Sequence, residues 1–108
     1  MFEIHDDNTM ELIRGDSADF TITLVDKETG DEYIPQPGDT IVFTIKKNTK
    51  TDEVLVQKHG PNVTIAPDDT EGLKYGEYKY DVELTYASGF VDTVVPPTAF
   101  TIDEEVTF

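Results

Sequence analysis

Two serines and two histidines are all that this chain offers for nucleophilic catalysis. Ser88 falls in a short turn between strand-like runs, and Ser17 follows a Gly-Asp turn, so neither has the strand–turn–helix setting of a nucleophile elbow. His5 and His59 would be the only general bases of their type. Carboxylates are abundant, 23 in 108 residues. That density places some of them together by chance, and none sits in an apolar run where desolvation would raise its pKa for general-acid work. No enzyme chemistry and no cofactor is expected. With no cysteine a structural zinc is improbable, and calcium is the more reasonable cation for loops rich in carboxylate and carbonyl oxygen. The acidic stretches Asp6-Asp7-Asn8, Asp26 to Glu32 and Asp68-Asp69 lack the spacing of a calcium loop and read as solvated turns. No metal ligand set is expected.

Three short motifs carry structural readings beside functional ones. Arg14-Gly15-Asp16 spells the integrin-binding tripeptide, but here the glycine is needed to turn between two strands. Asn62-Val63-Thr64 matches a glycosylation acceptor inside a predicted strand. Lys46-Lys47-Asn48-Thr49-Lys50 is the only cluster of positive charge. It reads as a solvated hairpin end or as a contact point for an acidic neighbour, with Lys46, Lys47 and Lys50 the candidate contacts.

The elements that must carry these residues are strands. Thr, Val, Ile, Phe and Tyr make up 44 of 108 residues, whereas Leu and Ala add only 9. Branched and aromatic side chains pack well on a pleated surface and lose rotamer freedom in a helix. Over 76–86, Tyr78, Tyr80, Val82, Leu84 and Tyr86 share one face, with Glu77, Lys79, Asp81, Glu83 and Thr85 on the other. Such a period of two predicts a strand with one wet face. Ala18, Phe20, Ile22 and Leu24 point inward from a second strand, and Ile41, Phe43 and Ile45 from a third. Shorter runs cover 10–14, 53–58, 62–66, 90–95 and 99–102. Pro67 at a first helical position, acids in the first turn and a glycine near the end predict one helical turn over 67–73. Pro96-Pro97 predicts a break or a switch of sheets. With turns every eight to twelve residues, one domain over 1–108 is expected, an all-β two-sheet antiparallel sandwich of seven to eight strands. Tyr78 stands where the corner tyrosine of immunoglobulin-like domains would bond back to its loop; both Tyr78 and Tyr80 equally suit a plain core.

Eight basic against 23 acidic residues leave a net charge of −15, which argues against nucleic acid and against an anionic membrane surface as partners. No apolar run approaches a transmembrane helix, and the acidic start Met1-Phe2-Glu3-Ile4-His5-Asp6-Asp7 is unlike a signal peptide, so synthesis in a cytosol is expected.

The order of motifs carries more than composition does. The chain reads Ile13-Arg14-Gly15-Asp16 into a strand through Leu24, then Pro37-Gly38-Asp39-Thr40-Ile41-Val42-Phe43-Thr44-Ile45-Lys46-Lys47. It continues with Val63-Thr64-Ile65-Ala66-Pro67-Asp68-Asp69-Thr70, then Tyr75-Gly76-Glu77-Tyr78-Lys79-Tyr80-Asp81-Val82. Over about residues 9 to 105 this resembles the N-terminal domain family of the baseplate upper protein of phages infecting Gram-positive bacteria. The resemblance implies an immunoglobulin-like sandwich in a virion tail or baseplate, holding other tail proteins by protein–protein contact, with a homo-oligomer in the assembly as one possibility. Larger members carry further segments, including receptor-binding apparatus, so only the scaffold role transfers. Phe2, Ile4 and Phe108 near the chain ends are further candidate contacts, as are the apolar Val42, Leu55, Phe90 and Val94. A bacterial surface or carbohydrate-binding immunoglobulin-like module is the alternative. It is disfavoured by the lack of tryptophan and of an exposed aromatic cluster for stacking on sugar.

Overall fold

Alternation settles which side of each strand is dry, and the structure follows it closely. The computed structural model describes residues 2–26 and 28–104. Its strands are β1 (Phe2–Ile4), β2 (Met10–Ile13), β3 (Ala18–Thr21), β4 (Leu24–Val25), β5 (Glu32–Tyr33), β6 (Thr40–Lys46), β7 (Val56–Gly60), β8 (Asn62–Ile65), β9 (Gly76–Thr85) and β10 (Val91–Asp103). A single short helix, α1 (Pro67–Glu71), lies between β8 and β9. The chain is thus all-β with one small helix, as expected. The sheets, however, are not a matched pair. β1, β2, β10, β9, β6 and β7 bond in that order into one six-stranded sheet curled as a half-barrel, and β3–β8 and β4–β5 form separate two-stranded ribbons.

Phe43 joins these layers. Fully buried on β6, it meets Tyr80 of β9 at 5.3 Å between ring centroids, Phe100 of β10 at 6.4 Å and Phe20 of β3 at 5.3 Å. Ile41, Ile45, Val82, Leu84, Ile102, Leu12, Val63 and Ile65 complete one buried cluster. Each comes from the apolar register of its strand, so a one-residue slip anywhere would turn that strand's core side chains outward.

Several expectations shift in detail. The inward run 18–24 splits: Ile22 still donates its N–H to the Pro61 carbonyl opposite it at 2.8 Å, but Pro61 has no N–H to return, so the β3–β8 ladder ends there and the chain resumes as β4 against β5. The strand expected over 53–58 begins at Val56 and reaches Gly60. The break expected at Pro96-Pro97 does not occur: β10 runs from Val91 to Asp103 in one piece. It pairs antiparallel with β9 throughout, with register shifts between Thr93 and Val95 and between Val95 and Thr98. Each shift inserts one extra residue on β10, a bulge that takes up the prolines. On its other side β2 runs parallel to β10 only along Phe100–Asp103. Prolines are tolerated in a strand where an edge is open, and here it is.

The helical turn forms as predicted, with Pro67 at its start and Asp68 and Asp69 in its first turn. Asp69 accepts the Ala66 N–H at 2.7 Å, which caps the turn from inside. No helix among the described residues is long and apolar enough to cross a membrane.

Candidate functional site

A hollow of about 810 Å3 opens between the curled sheet and the β3–β4 segment. Tyr80, Val82 and Leu84 line it from the inward face of β9, and Val94 and Val95 from β10. Phe20, Ile22 and Leu24 line it from the opposite side. Three carboxylates stand around it, Asp26, Glu28 and Asp92, and no described lining residue is Lys or Arg. The Tyr80 hydroxyl donates to the Asn8 carbonyl. Its phenol is pushed up to about 12, by burial first and then by the charge of Asp7.

An aromatic group borders the hollow. Tyr33 packs edge-on against Tyr86 at 5.8 Å, and Tyr86 tilts against Phe90 at 5.9 Å, with Phe90 itself 66% exposed. Tyr33 and Tyr86 are half-buried against the core and Phe90 alone is exposed, since the hairpin at 87–89 folds it back onto Tyr86. Asp39 ties this region together. It accepts the Tyr33 hydroxyl, the Gln36 N–H at 2.9 Å and the Ala87 N–H at 3.1 Å. The Tyr33 bond raises that phenol to about 12 and, together with the Gln36 N–H, lowers the Asp39 carboxyl.

A second cluster joins the sequence motifs. Gly15 has a φ of +87°, the left-handed conformation that the turn after β2 requires. Its N–H bonds to the buried Thr70 hydroxyl at 3.2 Å. Arg14 donates to the Leu73 carbonyl at 3.4 Å, and its guanidinium lies 4.4 Å from the Tyr75 ring centroid. Tyr78 donates its hydroxyl to the Lys74 carbonyl at 2.7 Å, the bond back to the loop that a corner tyrosine makes. Arg14 and Gly15 thus clamp α1 to the foot of β9, the structural use of that tripeptide.

The candidate contact residues do not converge. Phe2 is half-buried, its ring stacked on Phe20 at 5.5 Å. Ile4 is 47% exposed and lines the large hollow. Lys46 lies elsewhere, opposite Lys79 in the β6–β9 register, and lines a hollow of about 120 Å3 with Lys79 and Asp81. Burial raises the Asp81 carboxyl, and Lys46 offsets part of that rise. Lys47 and Lys50 are exposed in the connection from β6 to β7. Phe108 lies outside the described residues. Val42 and Leu55 are half-buried, Leu55 against the core, and Val94 lines the large hollow.

Of the histidines, His59 is exposed on β7, and His5 stands 3.6 Å from Glu11. The ligand atoms of Glu3, His5 and Glu11 lie within 4.8 Å of one another, on the outer pair of strands where Glu3 and Glu11 face each other in register. Sequence spacing did not single out this trio, because only the β1–β2 pairing assembles it. The acidic turns form local bonds of their own: Asp7 accepts from Thr9, and Asp26 accepts the Glu28 N–H at 2.8 Å. The large hollow also went unread, although Pro96-Pro97 was a usable sign of the open edge beside it. Compared with known protein families, the chain matches none, and no curated protein matches it.

Proposed function

We propose that this chain is a non-enzymatic structural protein of a phage or prophage virion, a tail or baseplate component. It is an immunoglobulin-like domain that works through protein–protein contacts, in a particle assembled from proteins made in the bacterial cytoplasm. The observation that supports this best is the clamp of Arg14 and Gly15 onto Thr70, Leu73 and Tyr75. Motifs of the resemblance that lie far apart in sequence meet there, which gives a physical reason for their order and spacing. The Tyr78 bond to its own loop agrees with an immunoglobulin-like corner.

One observation favours the alternative, a bacterial surface or carbohydrate-binding module: the Tyr33–Tyr86–Phe90 cluster leaves an exposed ring near a groove. The two readings separate cleanly. No Lys or Arg follows Lys79, so trypsin releases 80–108 as one recognisable peptide. Mass spectrometry of particles purified from an induced culture of the source strain should find that peptide at constant ratio to tail proteins through a density gradient. Its absence from intact particles while the protein is present in the cells sinks the virion reading. Retention on a glycan array, lost on Phe90→Ala, would establish the alternative.

A further inference from the structure

The large hollow is bounded by two runs of consecutive residues, 20–26 from the β3–β4 segment and 92–95 from β10. Successive side chains of a strand point to opposite faces, so a space that meets several consecutive residues runs along an edge. Both edges are open. On the side away from β9, β10 is paired only along Phe100–Asp103, which leaves Val91–Val95 without a second neighbour among the described residues. β4 pairs with β5 alone. The first bulge, between Thr93 and Val95, and then Pro96-Pro97 blunt the edge from there on, as natural edges are blunted, and leave Val91–Thr93 as its regular part. The volume, about 810 Å3, falls within the range of small-molecule pockets. A row of backbone N–H and C=O groups, however, is best satisfied by another backbone, and the inward apolar side chains by alternate apolar side chains on it. Asp26, Glu28 and Asp92 add negative charge at the rim. A second copy of this chain, itself at −15, is repelled there.

We propose that this groove takes an extended segment of a partner protein, apolar on one face and bearing Lys or Arg on the other, which adds as a strand to the open edge of β10. This rests on the reading of the protein as a contact component and names the chemistry of what it contacts. Recognition is short, since Val91 to Val95 spans about 16 Å at a strand's rise. Its on-rate depends on salt, because opposite charges steer the encounter.

The test uses the full chain and a capped hexapeptide alternating valine and lysine. Amide NMR titration should show saturable shifts at 91–95 and at 22–25, and amide hydrogen exchange over 91–95 should slow on binding. The same peptide with glutamate for lysine should bind at least about ten-fold more weakly, as should one N-methylated at alternate amides, which keeps charge and side chains but cannot pair. Asp92→Lys, at an exposed position, should weaken the lysine peptide several-fold with an unchanged far-ultraviolet spectrum. Three outcomes overturn the proposal: no saturable binding, equal binding of the N-methylated peptide, or protection of 91–95 that rises with protein concentration alone and so identifies a second copy as occupant. None of these changes the particle measurement above, so the groove can fail while the virion reading stands, and the reverse.

Discussion

Tyr78 and Thr70 each spend a hydroxyl on a backbone group that the fold has taken partly out of water. The Tyr78 ring is 8% exposed and its hydroxyl satisfies the Lys74 carbonyl. Tyr78→Phe keeps the ring and leaves that carbonyl short of a donor, so urea denaturation should show a loss of about 1–2 kcal/mol. Thr70 is fully buried and accepts the Gly15 N–H. Thr70→Val conserves shape and strands that donor, with a similar expected loss of about 1–2 kcal/mol. The double variant reports on the clamp as a unit: losses that fail to add would show that α1 and the Arg14 turn support one another. At this scale the sequence was partly legible. Alternation placed Tyr78 and Tyr80 on the inner face, and the corner role for Tyr78 followed from a helical turn just before it. Thr70 gave no sign of its burial, because a threonine in an acidic helical turn looks like surface until the turn after β2 is folded against it.

Among elements, alternation over long runs was readable and short pairing was not. β6 and β9 show a clean period of two over seven and ten residues, and both bury the expected faces. β1 and β5 have three and two residues, too few for any pattern to register. Pro96-Pro97 was read as an interruption because proline cannot donate to a ladder. In a strand paired on one side only, that missing donor points to nothing, so the strand continues and the prolines mark its edge instead. The groove was illegible for the same reason, since it is made by what fails to pair and not by any motif. The turn at 36–39 offers the element-scale prediction. Gly38 has a φ of +92°, and a Cβ there would stand 2.8 Å from the Cβ of Ala87 in the neighbouring turn. Gly38→Ala must push the turn away from 87–89 and loosen Asp39 from the Ala87 N–H. A cost of about 1–3 kcal/mol is expected, read as a lower melting temperature.

For the whole molecule the dominant quantity is charge, −15 at pH 7 with a pI near 4.1. Asp39 and Asp7 are held below the ordinary carboxylate value, Asp39 by the Tyr33 hydroxyl and then Gln36, Asp7 by the Thr9 hydroxyl and then its N–H. Burial pushes Asp69 up, but the Ala66 N–H and Lys58, 3.0 Å away, together outweigh it. Stability from these three is present above about pH 4, the unfolded value, and is lost as pH falls through their lower folded values. Asp81 has the opposite sign: burial raises it, so its ionised form costs stability that protonation returns. Self-repulsion also fades as pH approaches the pI. Melting temperature should therefore rise from pH 7 toward about pH 5 and fall below about pH 4. On the alkaline side Tyr33 and Tyr80 ionise near 12 when folded and near 10 when unfolded, so their stabilisation holds below pH 10 and is lost as pH rises through about 12. Circular dichroism melts across this range check both limbs, and a flat profile would contradict the assigned bonds. The pairing of the first and last strands has a separate consequence. Phe2 lies beside Leu12, and Leu12 beside Ile102, so two strand spacings, about 10 Å, separate Phe2 from Ile102. Through β2 the first and last strands are almost joined, so the sheet's stability owes little to where the chain through it is opened. A circular permutant joined by a short glycine–serine linker and opened at Ser88 should fold to the same sheet, with a melting point within a few degrees of the parent. A sheet whose first and last strands share one neighbour is held together by its pairing and not by the order in which the chain visits its strands.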